Sequence, residues 1–564
     1  MNFENERFNE LINSYKELTE RGLYTSAKWV AEQLSNIPQN QIHTESLTLN
    51  NKQEINPENI NPNYLLARSL FDLKEYRRAS FLLKNQTGNK SRFLQLYSLF
   101  LAGEKRKEEE IYETGKMMSQ HDVVNRELAE IKNILDPLFN EDKLDGFELF
   151  LFGVVLKNLK LKKQALKSLI RSVSYFPLNW SCWLEICDLC DDIETVNSLE
   201  FSKDIKQHWI FPFFNSHIHM ELNKYDKAFQ ICKELETKYG ENEHLKIEIA
   251  KGRYLSGDFE ESQKILEEIR QKDPFRIDNM DILSNILFVN QEKAELSHLA
   301  HSVMEIDKFR PETCIIIGNY YGLRCEHEKA IIYFKRALEL DVNYTSGWIL
   351  MGHEFIELKN FPNAIQAYRM AIDLNPKDYR AWYGLGHVYE ILQLPMYALY
   401  YFNQTVKLRP FDSRMWCAMG NCHEMMNETQ NAIKCYQRAE RNTDPQNIIS
   451  LRHLAKLFEN LTQLENAAYY HKKTLIRLDE LNLNDPDKID SMSFLANYYK
   501  ERHELEKAEE MCNKILEDSN LEQKGKEEAQ ALLREIMSIR AQTPINFSNE
   551  RMTISPSPST KFDP

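Results

Sequence analysis

A chain of 564 residues is too long for one compact core of ordinary size, so this sequence specifies either several domains or one elongated repeat array. A 42% hydrophobic and 11% aromatic content excludes a disordered chain, and only 17 Gly and 18 Pro argue against a loop-rich all-β fold. With 71 basic against 85 acidic residues, a net charge of −14, the composition disfavours a general binder of nucleic acid or anionic membrane, because phosphate contacts need a basic surface.

The N-terminal stretch MNFENERFNELINSYKELTERG is polar and has no apolar core of a secretory signal. No run of about 18 apolar residues occurs that would span a membrane. The ten Cys follow no framework of spacings, as expected of free thiols in a reducing compartment, and the expected location is nucleus and cytoplasm. Residues 22–34, GLYTSAKWVAEQL, have the pattern of the second helix of a hairpin. Residues 36–61, rich in Asn, Gln and Pro, are expected to be a flexible insertion. A full helical hairpin is predicted over 64–85, with Ala67 and Ala79 twelve apart, and further helical units over 92–111, 151–170 and 179–190.

From residue 209 the sequence becomes periodic. Ser216, Ala250, Ser284, Gly318, Gly352, Gly386 and Gly420 stand 34 residues apart, and Ala330, Ala364, Ala398 and Ala432 follow the last four by twelve. Aromatic residues fill fixed positions: Trp348, Trp382 and Trp416 four before the small residue, and Phe334, Tyr368, Phe402 and Tyr436 four after the Ala. Pro274, Pro376 and Pro410 close their units. This is the tetratricopeptide pattern, in which each unit is a pair of antiparallel helices that buries its apolar face only by stacking on neighbours. Seven units run in phase from 209 to 447, and Ala455/Ala467 and Ala496/Ala508 continue the pattern. An amphipathic helix near 524–542 caps the stack, and 541–564 form a polar tail. The expected fold is an all-α tetratricopeptide superhelix of about fourteen hairpins: irregular repeats over 1–208, regular repeats over 209–540, and a disordered tail.

Catalytic and metal motifs are missing. No phosphate-binding glycine loop is present, and His353-Glu354 and His423-Glu424 begin a zinc-protease pattern but lack its second His. Cys187-x-x-Cys190 has no second pair at zinc spacing, and His217-x-His219 is isolated. The chain is therefore expected to hold other proteins, with no catalytic residue, metal or cofactor. The first helix of each unit lines the inner face, where Asn285, Asn319, His353, Tyr383, His387 and Asn421 are expected to be exposed. The Lys-and-Asn clamp of chaperone adaptors is not written in this register, since Ile315 precedes Asn319 at the clamp spacing and Asp281 precedes Asn285.

The segments RGLYTSAKWVAE, YLLARSLFDLKEYRRASFLL, DPFRIDNMDILSNILFV, RPETCIIIGNYYGLRCEHEKAIIYFKRAL, GWILMGHEFIELKN and DYRAWYGLGHVYEIL closely resemble the cell division cycle protein 23 family, the eighth subunit of the anaphase-promoting complex. The similarity runs from about residue 8 to 540 and departs at 36–61 and in the tail. It implies a non-catalytic scaffold in a multisubunit ubiquitin ligase, dimeric through its N-terminal repeats and stacked with related tetratricopeptide subunits. It also implies that the groove receives the coactivator C-box, an Arg-containing motif, around Asn319, Tyr320, His353, Glu354, Trp382, Tyr383 and His387. A chaperone or transport adaptor is the alternative from within the binding class; an enzyme would need a catalytic domain after the array. In the tail, Thr543, Ser555 and Ser557 precede Pro and suit proline-directed kinases.

Overall fold

The computed structural model describes residues 2–36, 62–86, 88–113, 124–240, 242–441, 448–481, 486–517 and 523–542. The expected insertion, beyond Asn36, and the tail from Thr543, with Ser555 and Ser557, lie outside them.

Among the described residues the regular elements are thirty α-helices and no strand. The irregular part holds α1 (Asn2–Arg21), α2 (Tyr24–Ser35), α3 (Pro62–Asp72), α4 (Tyr76–Leu83), α5 (Asn89–Glu113), α6 (Glu127–Asn140), α7 (Gly146–Asn158), α8 (Lys162–Tyr175), α9 (Trp180–Leu189) and the short α10 (Ile193–Asn197) and α11 (Lys203–Gln207). The periodic part begins with α12 (Phe211–Glu221), α13 (Tyr225–Tyr239), α14 (Glu243–Ser256), α15 (Phe259–Lys272), α16 (Met280–Val289), α17 (Lys293–Ile306), α18 (Pro311–Leu323) and α19 (His327–Leu340). It continues with α20 (Thr345–Glu357), α21 (Phe361–Leu374), α22 (Tyr379–Ile391), α23 (Pro395–Leu408), α24 (Ser413–Met425) and α25 (Thr429–Arg441). After it come α26 (Ile449–Asn460), α27 (Leu464–Glu480), α28 (Pro486–Glu501), α29 (Leu505–Glu517) and α30 (Gln523–Gln542). Within each unit successive helices pack as hairpins, α1 on α2, α7 on α8, α18 on α19, α24 on α25 and α28 on α29 among them, an all-α tetratricopeptide fold.

The repeat signature has a steric cause. A Cβ built on Gly318 would lie 2.3 Å from the Phe334 ring, and one on Gly420 would lie 2.6 Å from the Tyr436 ring. Phe334, Tyr368, Phe402 and Tyr436 are each fully buried. The small residue of the first helix thus makes room for the aromatic residue of the second. The repeat Trp has a different task. The indole N–H of Trp348, Trp382 and Trp416 donates to the carbonyl six residues earlier, of Val342, Pro376 and Pro410, at 3.1, 2.9 and 2.8 Å. Each bond ties a first helix to the turn that precedes it.

The turn inside each hairpin follows the same register. Asn223, Gln291, Cys325, Lys359, Gln393 and Asn427 all adopt φ of 57 to 60, and Gly257 takes the equivalent place at φ 96. A side chain in this left-handed region costs about 1–2 kcal/mol, a strain glycine avoids. Replacing the exposed Lys359 by Gly is therefore expected to stabilise its hairpin by about 0.5–1 kcal/mol, net of the chain entropy that glycine adds. An unchanged or lowered urea midpoint for Lys359→Gly would contradict this account of the turn.

The chain forms two compact units, Met1–Val388 and Tyr389–Pro564. In the first, one apolar core includes Leu11, Trp29, Phe93, Phe152, Trp183, Phe214 and Leu245. It therefore passes through residue 208, where the sequence pattern changes, and the irregularity there is confined to α10 and α11. In the second, smaller cores gather around Leu454 and Tyr436 and around Leu495 and Ile536 of α30, which covers the last hairpin.

Candidate functional site

Within the first unit the starts of the first helices converge on a cavity of about 700 Å³. Its lining repeats with the sequence: His244, Asp278, Glu312, Ser346 and Arg380 occupy one register position at 34-residue intervals, and His217, Lys251 and Asn285 another. α2 supplies a further wall through Thr25, Lys28, Trp29 and Glu32.

Arg380 organises one side. Its guanidinium binds Asp378 through Nε to Oδ1 at 3.0 Å and Nη2 to Oδ2 at 2.7 Å, and Nη1 donates to the Tyr254 hydroxyl at 3.2 Å across 126 residues of sequence. Lys377 Nζ donates to the carbonyls of Cys187 and Cys190 at 3.1 and 2.6 Å, where α9 ends and its dipole favours a cation. On another side the Tyr344 hydroxyl donates to Asp281 Oδ2 at 2.6 Å. Burial and the carboxylates of Asp281 and Glu312 push the Tyr344 phenol well above its ordinary range. Glu248 is buried and paired with His217 at 3.1 Å. Burial opposes its charge, but His217 and Lys251 outweigh that and hold the carboxyl below its usual range, and Glu248 in turn raises His217. Burial lowers His244 to about 4 and keeps it neutral between the edges of Trp29 and Trp180. Among the described residues no cluster of His, Cys, Asp and Glu could hold a metal ion. Cys187 and Cys190 are buried, and burial raises both thiols, Cys190 to about 11, which suits packing and not redox chemistry.

None of the seven groove residues expected from the sequence lines this cavity. Asn319, expected to be exposed, is 2% exposed, and its amide donates to Ser284 Oγ at 2.8 Å and Asn285 Oδ1 at 2.7 Å. Asn285, also expected on the surface, is buried yet touches the cavity. The reason for both corrections is that adjacent first helices pack side by side through this polar ladder. Glu354 is buried as well, and Oε2 lies 2.7 Å from His327 Nδ1. Its carboxyl is raised, by burial first, with His327 opposing. His353 is exposed as a residue, but its ring packs on Tyr368 and shares a hydrogen bond between Nδ1 and the Tyr368 hydroxyl at 2.8 Å. Tyr320 turns away from Asn319 toward His301, and Arg324 donates to its hydroxyl at 2.9 Å with the guanidinium over the ring. Trp382 has the repeat role described above. Tyr383 and His387 lie parallel on α22 with ring centres 6.5 Å apart. Asn421, half-buried, pairs with Glu390.

The model of the family "Anaphase promoting complex subunit 8 / Cdc23" matches residues 7–250, and a tetratricopeptide model matches 352–392. Anaphase-promoting complex subunit 8 of Arabidopsis thaliana is 42% identical over 94% of this chain and 96% of its own length. The chain belongs to the anaphase-promoting complex subunit 8 / Cdc23 family. Within that family, subunit 8 of Dictyostelium discoideum is 39% identical over 94% of this chain and 97% of its own. A crystal structure titled as the hetero-tetramer Cut9–Hcn1 of the complex superposes with a TM-score of 0.52 at 17% identity, over 85% of this chain and 97% of the other. That likeness shows the tetratricopeptide fold. No helix among the described residues is long and apolar enough to cross a membrane.

Proposed function

We propose that this chain is a non-catalytic scaffold subunit of the anaphase-promoting complex, a multisubunit ubiquitin ligase, and that its inner face docks the C-box of the coactivator. The observation that carries the scaffold reading is 42% identity to anaphase-promoting complex subunit 8 of Arabidopsis thaliana over 94% of this chain and 96% of that one. Its partners are then other subunits of the complex, including related tetratricopeptide chains, and a second copy bound through the N-terminal repeats. It acts in nucleus and cytoplasm, supporting ubiquitination of cell-cycle regulators and mitotic progression.

Chemistry favours Glu354 and Asn319 as the centre of the docking site. A guanidinium entering beside α20 meets a desolvated carboxylate, where a charge-assisted pair is stronger than at the surface. The ladder from Asn285 to Asn319 holds adjacent first helices together and so fixes the wall beside Glu354. Tyr320, already facing one guanidinium, shows how its ring takes a cation. His353, Tyr383 and His387 offer the flanking rings, with Trp382 as supporting wall.

Purifying the tagged chain from dividing cells is expected to recover cullin and RING subunits; recovery with chaperones alone would refute the scaffold reading. Glu354→Gln keeps the shape and the hydrogen bond of the side chain but removes its charge. Titration of a C-box peptide should show affinity at least about tenfold weaker. Unchanged affinity would remove the docking assignment and leave the scaffold in place.

A further inference from the structure

The second unit holds a pocket that the docking reading does not use. It lies between α24 and α25, has a volume of about 340 Å³ and is lined by Trp416, His423, Lys434, Arg438 and Arg441, among others. Lys434, Arg438 and Arg441 follow one another at four and three residues, so they share one face of α25. All three are exposed, and none has a carboxylate partner among the described residues. Neighbouring cations behave otherwise: Lys473 pairs with Glu440, Arg414 with Asp412 and Arg502 with Glu465. Among the described residues, Glu440 on the same helix is engaged with Lys473, and Glu428 with His423 and Asn431. In a chain of net charge −14, three cations on one face with no carboxylate partner among the described residues favour an anionic ligand there.

The pocket is also built for a planar contact. The Arg438 guanidinium lies 4.8 Å from the centre of the Trp416 ring. That ring is fixed by its own N–H bond to the Pro410 carbonyl. Stacking leaves the guanidinium edge free to donate two parallel bonds, the geometry a phosphate accepts.

We propose that this pocket binds phosphoserine of the chain's own C-terminal tail, at Ser555 or Ser557. Each Ser precedes a Pro, so a proline-directed kinase can transfer the γ-phosphoryl of ATP to its Oγ; the hydroxyl proton is lost and ADP leaves. Without phosphate, residues 543–564 carry Glu550 and Asp563 against Arg551 and Lys561 and are neutral. Each phosphate adds about −1.5 to −2 charges, which creates the complement of the basic face. Reach is adequate. The tail leaves α30 two to three hairpins beyond α25, roughly 20–30 Å with helices packed 8–10 Å apart. Residues 543–555 extended span up to about 40 Å. Attachment to the same chain also gives the segment a high effective concentration.

The test titrates a labelled peptide of residues 549–560, phosphorylated on Ser555 and Ser557, into the full-length chain by fluorescence anisotropy. Saturable binding is expected, at least about tenfold weaker for the unphosphorylated peptide and for the variant K434Q/R438Q/R441Q. The three side chains are exposed, so the variant keeps its fold, checked by circular dichroism. Full-length chain carrying phosphoserine at both positions should resist the added peptide. Binding to the triple variant within about twofold of the parent overturns the pocket. Equal binding of a scrambled peptide with the same two phosphates, or undiminished binding to the phosphorylated chain, overturns the tail as its occupant.

Discussion

Replacing Arg92 by Met is expected to cost about 3–5 kcal/mol of stability at neutral pH, more than any exposed ion pair in the chain could account for. Glu148 is fully buried at the start of α7, and Arg92 from α5 grips it through Nε to Oε1 at 2.6 Å and Nη2 to Oε2 at 2.8 Å. The carboxylate also accepts from the Asp145 backbone N–H at 3.1 Å, while Asp145 caps the Glu148 N–H at 2.8 Å. The pair joins two hairpins and fixes a helix start. Met retains much of the Arg stem but strands a buried charge. The sign with pH follows from the carboxyl, whose pKa is already raised by burial, against the opposing pull of Arg92. A raised folded pKa means that the folded state binds the proton more tightly than the unfolded state does. Its favourable contribution is complete below the ordinary value of 4.5 and is lost as pH rises through the folded pKa. Without Arg92 that pKa rises further. The deficit of Arg92→Met should therefore shrink on acidification from pH 7.5 toward 4.5, as read from urea midpoints at the two pH values. A deficit that stays constant or grows would show that the loss is packing and not the stranded charge.

The helices and their phase were legible because the residues that set them are steric. Gly318 and Phe334, or Gly420 and Tyr436, must alternate small and large at fixed spacing for two helices to cross. That constraint writes a period that needs no knowledge of the tertiary structure. Other features left weaker traces. The left-handed turn position carries Asn, Gln, Cys and Lys among others, and glycine marks it only at Gly22 and Gly257, so the register of the turns was invisible by composition. The cavity lining recurs every 34 residues, but as His, Asp, Glu, Ser and Arg, which share a position and no chemistry. Reading the position next to each small residue led to Asn285 and Asn319, which are polar and inward but are consumed in helix-to-helix bonding. A search at the start of each first helix would have reached Asp278, Glu312 and Arg380. The links from Lys377 to Cys187 and Cys190 and from Arg380 to Tyr254 are long-range, and a single sequence carries no signal for them.

The N-terminal hairpin presents the same problem in its sharpest form, because its place is fixed by partners 150 to 250 residues away. Trp29 of α2 stacks on Trp180 with ring centres 4.7 Å apart and planes within 4°, lies parallel to Trp209 at 6.3 Å, and meets Phe213 edge-on at 6.1 Å. Around it, Ser26 donates to Asn179 at 2.8 Å and accepts from the Ser181 N–H at 2.9 Å, and Asn242 donates to Gln33 at 2.7 Å. Lys28 pairs with Asp278. Trp29→Ala is expected to cost about 3–5 kcal/mol, the range for a large buried aromatic side chain, with the stacking partner losing its second face as well. In a stacked array the loss stays near its origin, since each hairpin is stabilised by those it touches. The variant should therefore release α1 and α2 while α12 to α22 stay folded. Hydrogen exchange would read this as faster exchange in α1, α2 and α9 with unchanged protection around Phe334 and Tyr368. Trp29→Phe is the control: it keeps an aromatic face and removes an indole N–H that has no partner among the described residues, so most of the stability should return. If Ala and Phe variants lose protection equally, the stack of rings is not what seats the hairpin. If exchange quickens throughout the first unit, the N-terminal hairpin is a keystone of that whole unit, and the local picture of the repeat array fails for it.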